Sequence, residues 1–289
     1  MKDLVPLLAQ VGIVLIVTSY GLETHPRDLW AALQNKGLMV RALIAVNLVV
    51  PVAAVVLCSL VPIDPNVRIG IVLMAVSPLA PLVTFKIHLG GARTSALLGP
   101  YVALLVVAVV LVPLTIALLS ALFPPSASIS VIALAKLVAV SVLLPIGAGL
   151  AINAWYPGFA HTVARVAVVL GFGIIGLLAV VILYAEGRAL LTLLGDGTLL
   201  VIMGTIAAGL LAGHILGRPD PRESSGLAIA AAMRHPGIAL LIAHQNFSDP
   251  RIKLVIVLFL LTGAVMSTLY QFWMLKKSAH PAAAMKVGT

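Results

Sequence analysis

Apolar stretches of about twenty residues recur from one end of this chain to the other. Each has the length that carries a helix across ~30 Å of hydrocarbon at 1.5 Å per residue. Bounded by charges and Pro/Gly clusters, about nine such spans are predicted, near 4–23, 38–62, 67–88, 96–123, 129–153, 163–184, 198–217, 225–246 and 251–275. Composition agrees: 62% of the 289 residues are hydrophobic and 9% charged, against roughly 25% charged in soluble domains. The runs are continuous rather than alternating, which excludes a β-barrel. The expected fold is an all-α polytopic membrane protein. Its connectors are short, so its function must lie within the bilayer or just outside it.

The net charge of +9 does not point to nucleic acid, because the basic residues sit in short loops where they set topology. With nine spans the termini lie on opposite sides. The side holding the C-terminus collects eleven of the eighteen Lys and Arg residues, the other side six, and Arg234 alone falls at mid-depth. The C-terminus is therefore predicted cytoplasmic and the N-terminus external, in an inner or plasma membrane. The first apolar run has no small-x-small cleavage site before Glu23 and is read as a retained span. The single cysteine, Cys58, excludes an internal disulfide and a cysteine-based metal cluster.

Two parts of the chain resemble each other. Span 1 ends in Tyr20-Gly-Leu-Glu23 and span 6 in Tyr184-Ala-Glu186. Span 3 runs from Gly70 to Ser77-Pro78 and on to Pro81, and span 8 runs from Gly226 to Arg234-His235-Pro236. The predicted topology sends span 3 inward and span 8 outward, so the pattern suggests an inverted repeat of spans 1–4 against 6–9. Matching proline-interrupted spans are the sequence signature of a transporter binding site.

Arg234 is the costliest residue in the chain. An arginine at mid-span costs roughly 2.5–3.5 kcal/mol on insertion scales, and a mid-helix proline about 3 kcal/mol. The expectation is that span 8 breaks at His235-Pro236 and that Pro236 opens a second half-helix, where its missing N–H is harmless. The freed amides near Gly237, the positive helix end and the Arg234 guanidinium would then suit an anion. Span 3 would contribute the matching break at Pro78 and Pro81, with Ser77 and Thr84 as neutral hydrogen-bond partners and Lys86 further along. Against this stands a structural reading, in which Arg234 pairs with Glu23 or Glu186 or the proline only kinks the helix. His235 is either a proton-coupling group or a packed, hydrogen-bonded side chain. His214 and His244 lie near span ends, which favours an interfacial role, and Lys136 is expected to snorkel. Glu23 and Glu186 are read as interfacial anchors rather than gates. No metal-ligand spacing and no cofactor motif is present. Gly171-Phe-Gly173-Ile-Ile-Gly176 matches a dinucleotide fingerprint but lies inside span 6, where helix packing explains it better. No Walker A sequence is present, which argues against ATP-driven transport.

The nine-span plan, "YGLETHPRDL" at the end of span 1, and the breaks "AVSPLAP" and "AMRHPGIAL" together resemble the bile acid:sodium symporter family, over roughly residues 10 to 275. The resemblance implies a core domain with two interrupted, crossing helices and a smaller panel. The panel would comprise approximately 4–23, 129–153 and 163–184, and the core approximately 38–123 and 198–275, with one N-terminal helix of the usual ten missing. The resemblance also exposes departures. Where the family's first crossing helix carries a sodium-binding Ser and Asn, this chain has Val83 and Thr84. Where the second carries Glu and Gln, it has Ala230 and Arg234, and Asn-Ser-Gly becomes His235, Pro236 and Gly237. Span 4 is apolar through "VALLVVAVVLVP" where hydroxyls would be expected. Sodium needs oxygen ligands and a carboxylate, and a fixed cation repels it.

The chain is therefore expected to be a secondary transporter that moves a small organic anion by alternating access, without the sodium coupling of the family. Alternatives are a sodium-dependent symporter with a rebuilt ion site and an anion channel lined by Arg234. An enzyme is not expected, since no acid/base pair or activated nucleophile is visible.

Overall fold

The computed structural model describes residues 4–79, 95–122 and 131–284. Among them it contains twelve α-helices and no strand. These are α1 (Leu4–Glu23), α2 (Pro26–Gln34), α3 (Lys36–Leu43), α4 (Val50–Leu60), α5 (Pro65–Val76), α6 (Ser95–Leu122), α7 (Val131–Trp155), α8 (Pro157–Leu193), α9 (Thr198–Leu216), α10 (Pro221–Ala232), α11 (Pro236–Asn246) and α12 (Pro250–Ala284). Six stretches are long and apolar enough to cross a membrane, one of them the continuous Lys36–Leu60. The chain is thus a polytopic helical membrane protein.

The prolines set much of this segmentation. Asp64, Asp220 and Asp249 each accept a hydrogen bond from the backbone N–H two residues on, at 2.8, 2.7 and 2.8 Å. Each is followed by a proline at the first helical position, so an Asp-Pro pair opens α5, α10 and α12. Inside the span Lys36–Leu60, residues Ile44–Val49 form a π-helical stretch between α3 and α4. The cause is at hand in Pro51, which has no N–H for the carbonyl of Asn47 and would crowd it in a regular helix.

Two of the expected spans are interrupted, as their prolines predict. The run expected as span 8 is two helices, α10 and α11, with three residues between them, and Pro236 opens the second. In the run expected at 67–88, α5 stops at Val76, and the rest lies outside the described residues beyond Leu79. The sequence reading also missed α2, a nine-residue amphipathic helix in the first connector that is too short to cross a bilayer.

Close packing assembles the helices, as it must where lipid removes most of the hydrophobic drive between spans. α1 packs on α7 and α8. A Cβ on Gly21 would fall 2.3 Å from the Ile146 carbonyl oxygen, and one on Gly149 2.4 Å from that of Thr18. α9 lies along α10 with similar intimacy, since a Cβ on Gly213 would sit 2.4 Å from Ala228 Cα. The 171–176 glycine motif divides. Gly171 faces Gly12 and Ile16 of α1, but Gly173 and Gly176 have open space beside them, so helix packing accounts for only the first. α5 packs on α12, and α6 touches both α2 and α7.

Candidate functional site

The site is built where two helices stop. α10 ends at Ala232, and Met233 turns extended (φ −101°, ψ 116°) while still bonding Ile229. α5 ends at Val76, and Ser77 is likewise extended (φ −60°, ψ 153°). The two extended segments meet. Leu79 and Arg234 form an antiparallel bridge, and the His235 amide donates to the Pro78 carbonyl at 2.8 Å. Backbone groups that each break releases are thereby satisfied by the other break, which is how irregular backbone survives at membrane depth.

Arg234 fills the centre of this junction. It is 1% exposed and is among the largest fully buried side chains among the described residues. Its Nη2 donates to the Ala75 carbonyl in the last turn of α5, where the helix dipole presents its negative end. Among the described residues Nε and Nη1 find no hydrogen-bond partner, and neither do the two ring nitrogens of His235, which is 2% exposed. None of the ion pairs among the described residues includes Arg234, and no described Asp or Glu is buried. Glu23, one partner the structural reading required, is exposed, and the Glu186 side chain lies outside the described set.

The electrostatics of that arrangement are one-sided. Arginine cannot shed its proton, and a buried charge costs several kcal/mol before compensation. One carbonyl at a helix end returns only part of this, of order 1 kcal/mol. The remaining donors are therefore suited to a negatively charged group. Next to them α11 begins at Pro236 with no side-chain cap, leaving its first amides as donors at the positive end of a half-helix. Gly237 sits in that first turn because α1 crosses there: a Cβ on it would lie 2.5 Å from Ile13 Cδ1.

Of the residues expected at the site, the structure brings together Ser77, Pro78, Arg234, His235, Pro236 and Gly237, while Pro81 and Thr84 lie outside the described residues. Ser77 is fully buried, and its hydroxyl donates back into its own helix, to Leu73 at 2.7 Å. Two residues that the sequence did not single out for the site also belong here. Tyr101 donates its hydroxyl to the Leu79 carbonyl at 3.2 Å, and Tyr20 of α1 lies against it with ring centroids 5.1 Å apart. Tyr20 was visible only as part of the repeated span ending, and nothing in the run around Tyr101 pointed to the break. Among the described residues no group of three His, Cys, Asp or Glu could hold a metal ion.

Comparison with known proteins bears on the first half of this junction. The model of the Sodium Bile acid symporter family matches residues 10–193, which includes Ser77 and Pro78 and ends before Arg234. No curated protein matches the chain.

Proposed function

Because the chain belongs to the sodium bile acid symporter family, a family of membrane transporters, we propose that it is a secondary carrier of a small organic anion. The carrier works by alternating access, without the sodium coupling for which the family is named. The observation that carries this reading is the buried Arg234, with two nitrogens that no described residue partners at the junction of two broken helices. A fixed cation there takes the place that a metal cation would need, and Ala230, buried and apolar, offers no carboxylate to hold one. Arg234, His235 and Gly237 would receive the anion, with Ser77, Pro78, Pro81 and Thr84 contributed by the other break.

The likeness of the two broken helices supports an inverted repeat and, with it, the transport cycle. α5 and α10 are both 12-residue helices, each with an Asp cap, a proline at the start and an extended residue at the end, and their exits pair antiparallel. In this reading nine spans divide into a panel of α1, α7 and α8 and a core holding both breaks. Ile13 and Tyr20 then carry the panel's contact with the site. The protein is not an enzyme in this reading, and its C-terminus is cytoplasmic.

Proteoliposome uptake of a panel of organic anions tests the proposal. Arg234→Gln should reach the membrane and fold, yet lose uptake, and sodium should make no difference to the wild type. Uptake that survives Arg234→Gln would overturn the site. Uptake that requires sodium would restore a symporter with rebuilt ligands, and ohmic conductance in a planar bilayer would indicate a channel.

A further inference from the structure

A second basic site is built where the last turn of α9 meets α12. His214 stands in the last turn of α9, and its Nδ1 shares a hydrogen bond with the Tyr270 hydroxyl at 2.8 Å. Trp273 completes an aromatic cluster, with ring centroids 5.6 Å from His214 and 5.8 Å from Tyr270. The Lys277 ammonium lies over the Trp273 ring, 5.2 Å from its centroid, and Arg218 stands one turn after His214, its amide donating to the Ile215 carbonyl at 3.3 Å. Trp273 is 49% exposed and Lys277 is exposed, so this wall faces outward from the helix pair.

The charges here are unbalanced. Neither Arg218 nor Lys277 takes part in an ion pair among the described residues. The acids nearby are engaged elsewhere: Asp220 caps the Arg222 amide, and Glu223 pairs with Arg41 at 3.5 Å. Both helices leave the apolar zone at this level, the depth of lipid headgroups, where tryptophan and tyrosine rings seat best. Cations at helix ends are also expected to offset terminal carbonyls. Lys277 does something else: its ammonium lies on the face of the half-exposed Trp273 ring.

We propose that Arg218, Lys277 and the His214–Tyr270–Trp273 wall form a binding site for the phosphate of an anionic phospholipid, seated between α9 and α12. The phosphate would lie between the two cations, with Tyr270 and His214 as hydrogen-bonding groups and the acyl chains descending along Trp273. Lipid bound there bridges two helices of the proposed core and not the panel. This inference does not depend on what the protein transports.

Native mass spectrometry of the detergent-purified full chain tests it, with phosphatidylglycerol, phosphatidylcholine or inorganic phosphate added in turn. Wild type should retain phosphatidylglycerol over phosphatidylcholine, and the double variant R218Q/K277Q should weaken that retention roughly thirtyfold, as two lost surface charges would. K253Q, on the opposite rim, removes a charge without touching the site and should leave retention unchanged. W273L keeps both cations but removes the ring, and should cost roughly threefold; with K277Q alone it decides the matter if the double variant does not fold. Equal retention by wild type and the site variants would overturn the proposal, as would an equal loss in K253Q. Displacement of the lipid by inorganic phosphate at millimolar concentration would overturn the lipid assignment.

Discussion

Arg234 and Arg251 carry the same guanidinium in opposite circumstances. Arg251, at the rim where α12 begins, has a side chain 44% exposed and sits between Asp64 and Asp249, at 2.6 and 2.7 Å. Arg234, 1% exposed at the junction of the breaks, reaches one neutral carbonyl and no acid among the described residues. Acids are thus supplied where water already makes charge inexpensive and withheld where burial makes it costly. A structural ion pair would reverse that order, because an unpaired buried charge is the more destabilising. The difference teaches that the rim arginine ties two connectors together, whereas the buried one is kept open for something that arrives from outside.

The largest effect expected from this contrast comes from replacing Arg234 with methionine. Uptake should fall on the order of 100-fold, the loss expected when charged hydrogen bonds to a ligand disappear. Thermal stability should hold or rise, because the relief of a buried charge outweighs the orphaned Ala75 carbonyl, at about 1–3 kcal/mol. Uptake assays paired with melting curves check both halves. A variant that melts well below wild type would make Arg234 a structural strut and erase its contrast with Arg251. Next in size is Arg234→Lys, which keeps the charge but not the guanidinium's planar set of donors, and should cost roughly tenfold in apparent affinity.

A third test moves the neighbour instead of the charge. Gly237→Ala puts a Cβ against Ile13, and overpacking of that kind costs about 1–3 kcal/mol. Ile13→Ala in the same chain should recover most of the loss in a thermal melt. Recovery would locate the clash between α1 and α11, and its absence would mean that Gly237 is needed for its own backbone.

How far the sequence foretells these two arginines is itself unequal. The break at Arg234 was legible because a proline and an arginine inside an apolar run violate two strong rules at once, and the helix ends at Ala232 with Pro236 opening the next. Six of the span outlines were legible because length and apolarity alone identify the six long apolar helices among the described residues. The pairing of the breaks was not, because the Pro78 carbonyl and the His235 amide lie far apart in the chain and carry no side-chain signature. Tyr101 was hidden likewise, as its role rests on the Leu79 carbonyl. Arg251 could be assigned to a rim by its charge, but not to Asp64, whose nearness depends on how α5 packs against α12. Even the glycine motif misled in part, because spacing alone does not tell which helical face meets a neighbour: Gly171 does and Gly173 does not.

The smallest expected effect belongs to the rim and sharpens the comparison by its modesty. Arg251→Gln should change uptake by less than about twofold, since exposed ion pairs contribute little. Its signature is in the pH dependence. The hydrogen bond from Arg251 holds the Asp249 carboxyl below its ordinary range. A carboxyl depressed in the folded state contributes stability that is fully present above its unfolded pKa, about 3.9. That contribution is lost as pH falls from there through the lower, folded value. Melting curves of the wild type should therefore show no Asp249 contribution to change between pH 7 and 5 and a loss below about pH 4. In Arg251→Gln the same acid limb should be shallower, because the hydrogen bond that depresses Asp249 is gone. An acid limb of equal steepness in both proteins would mean that the rim pair is idle, and that Arg251 differs from Arg234 in exposure alone.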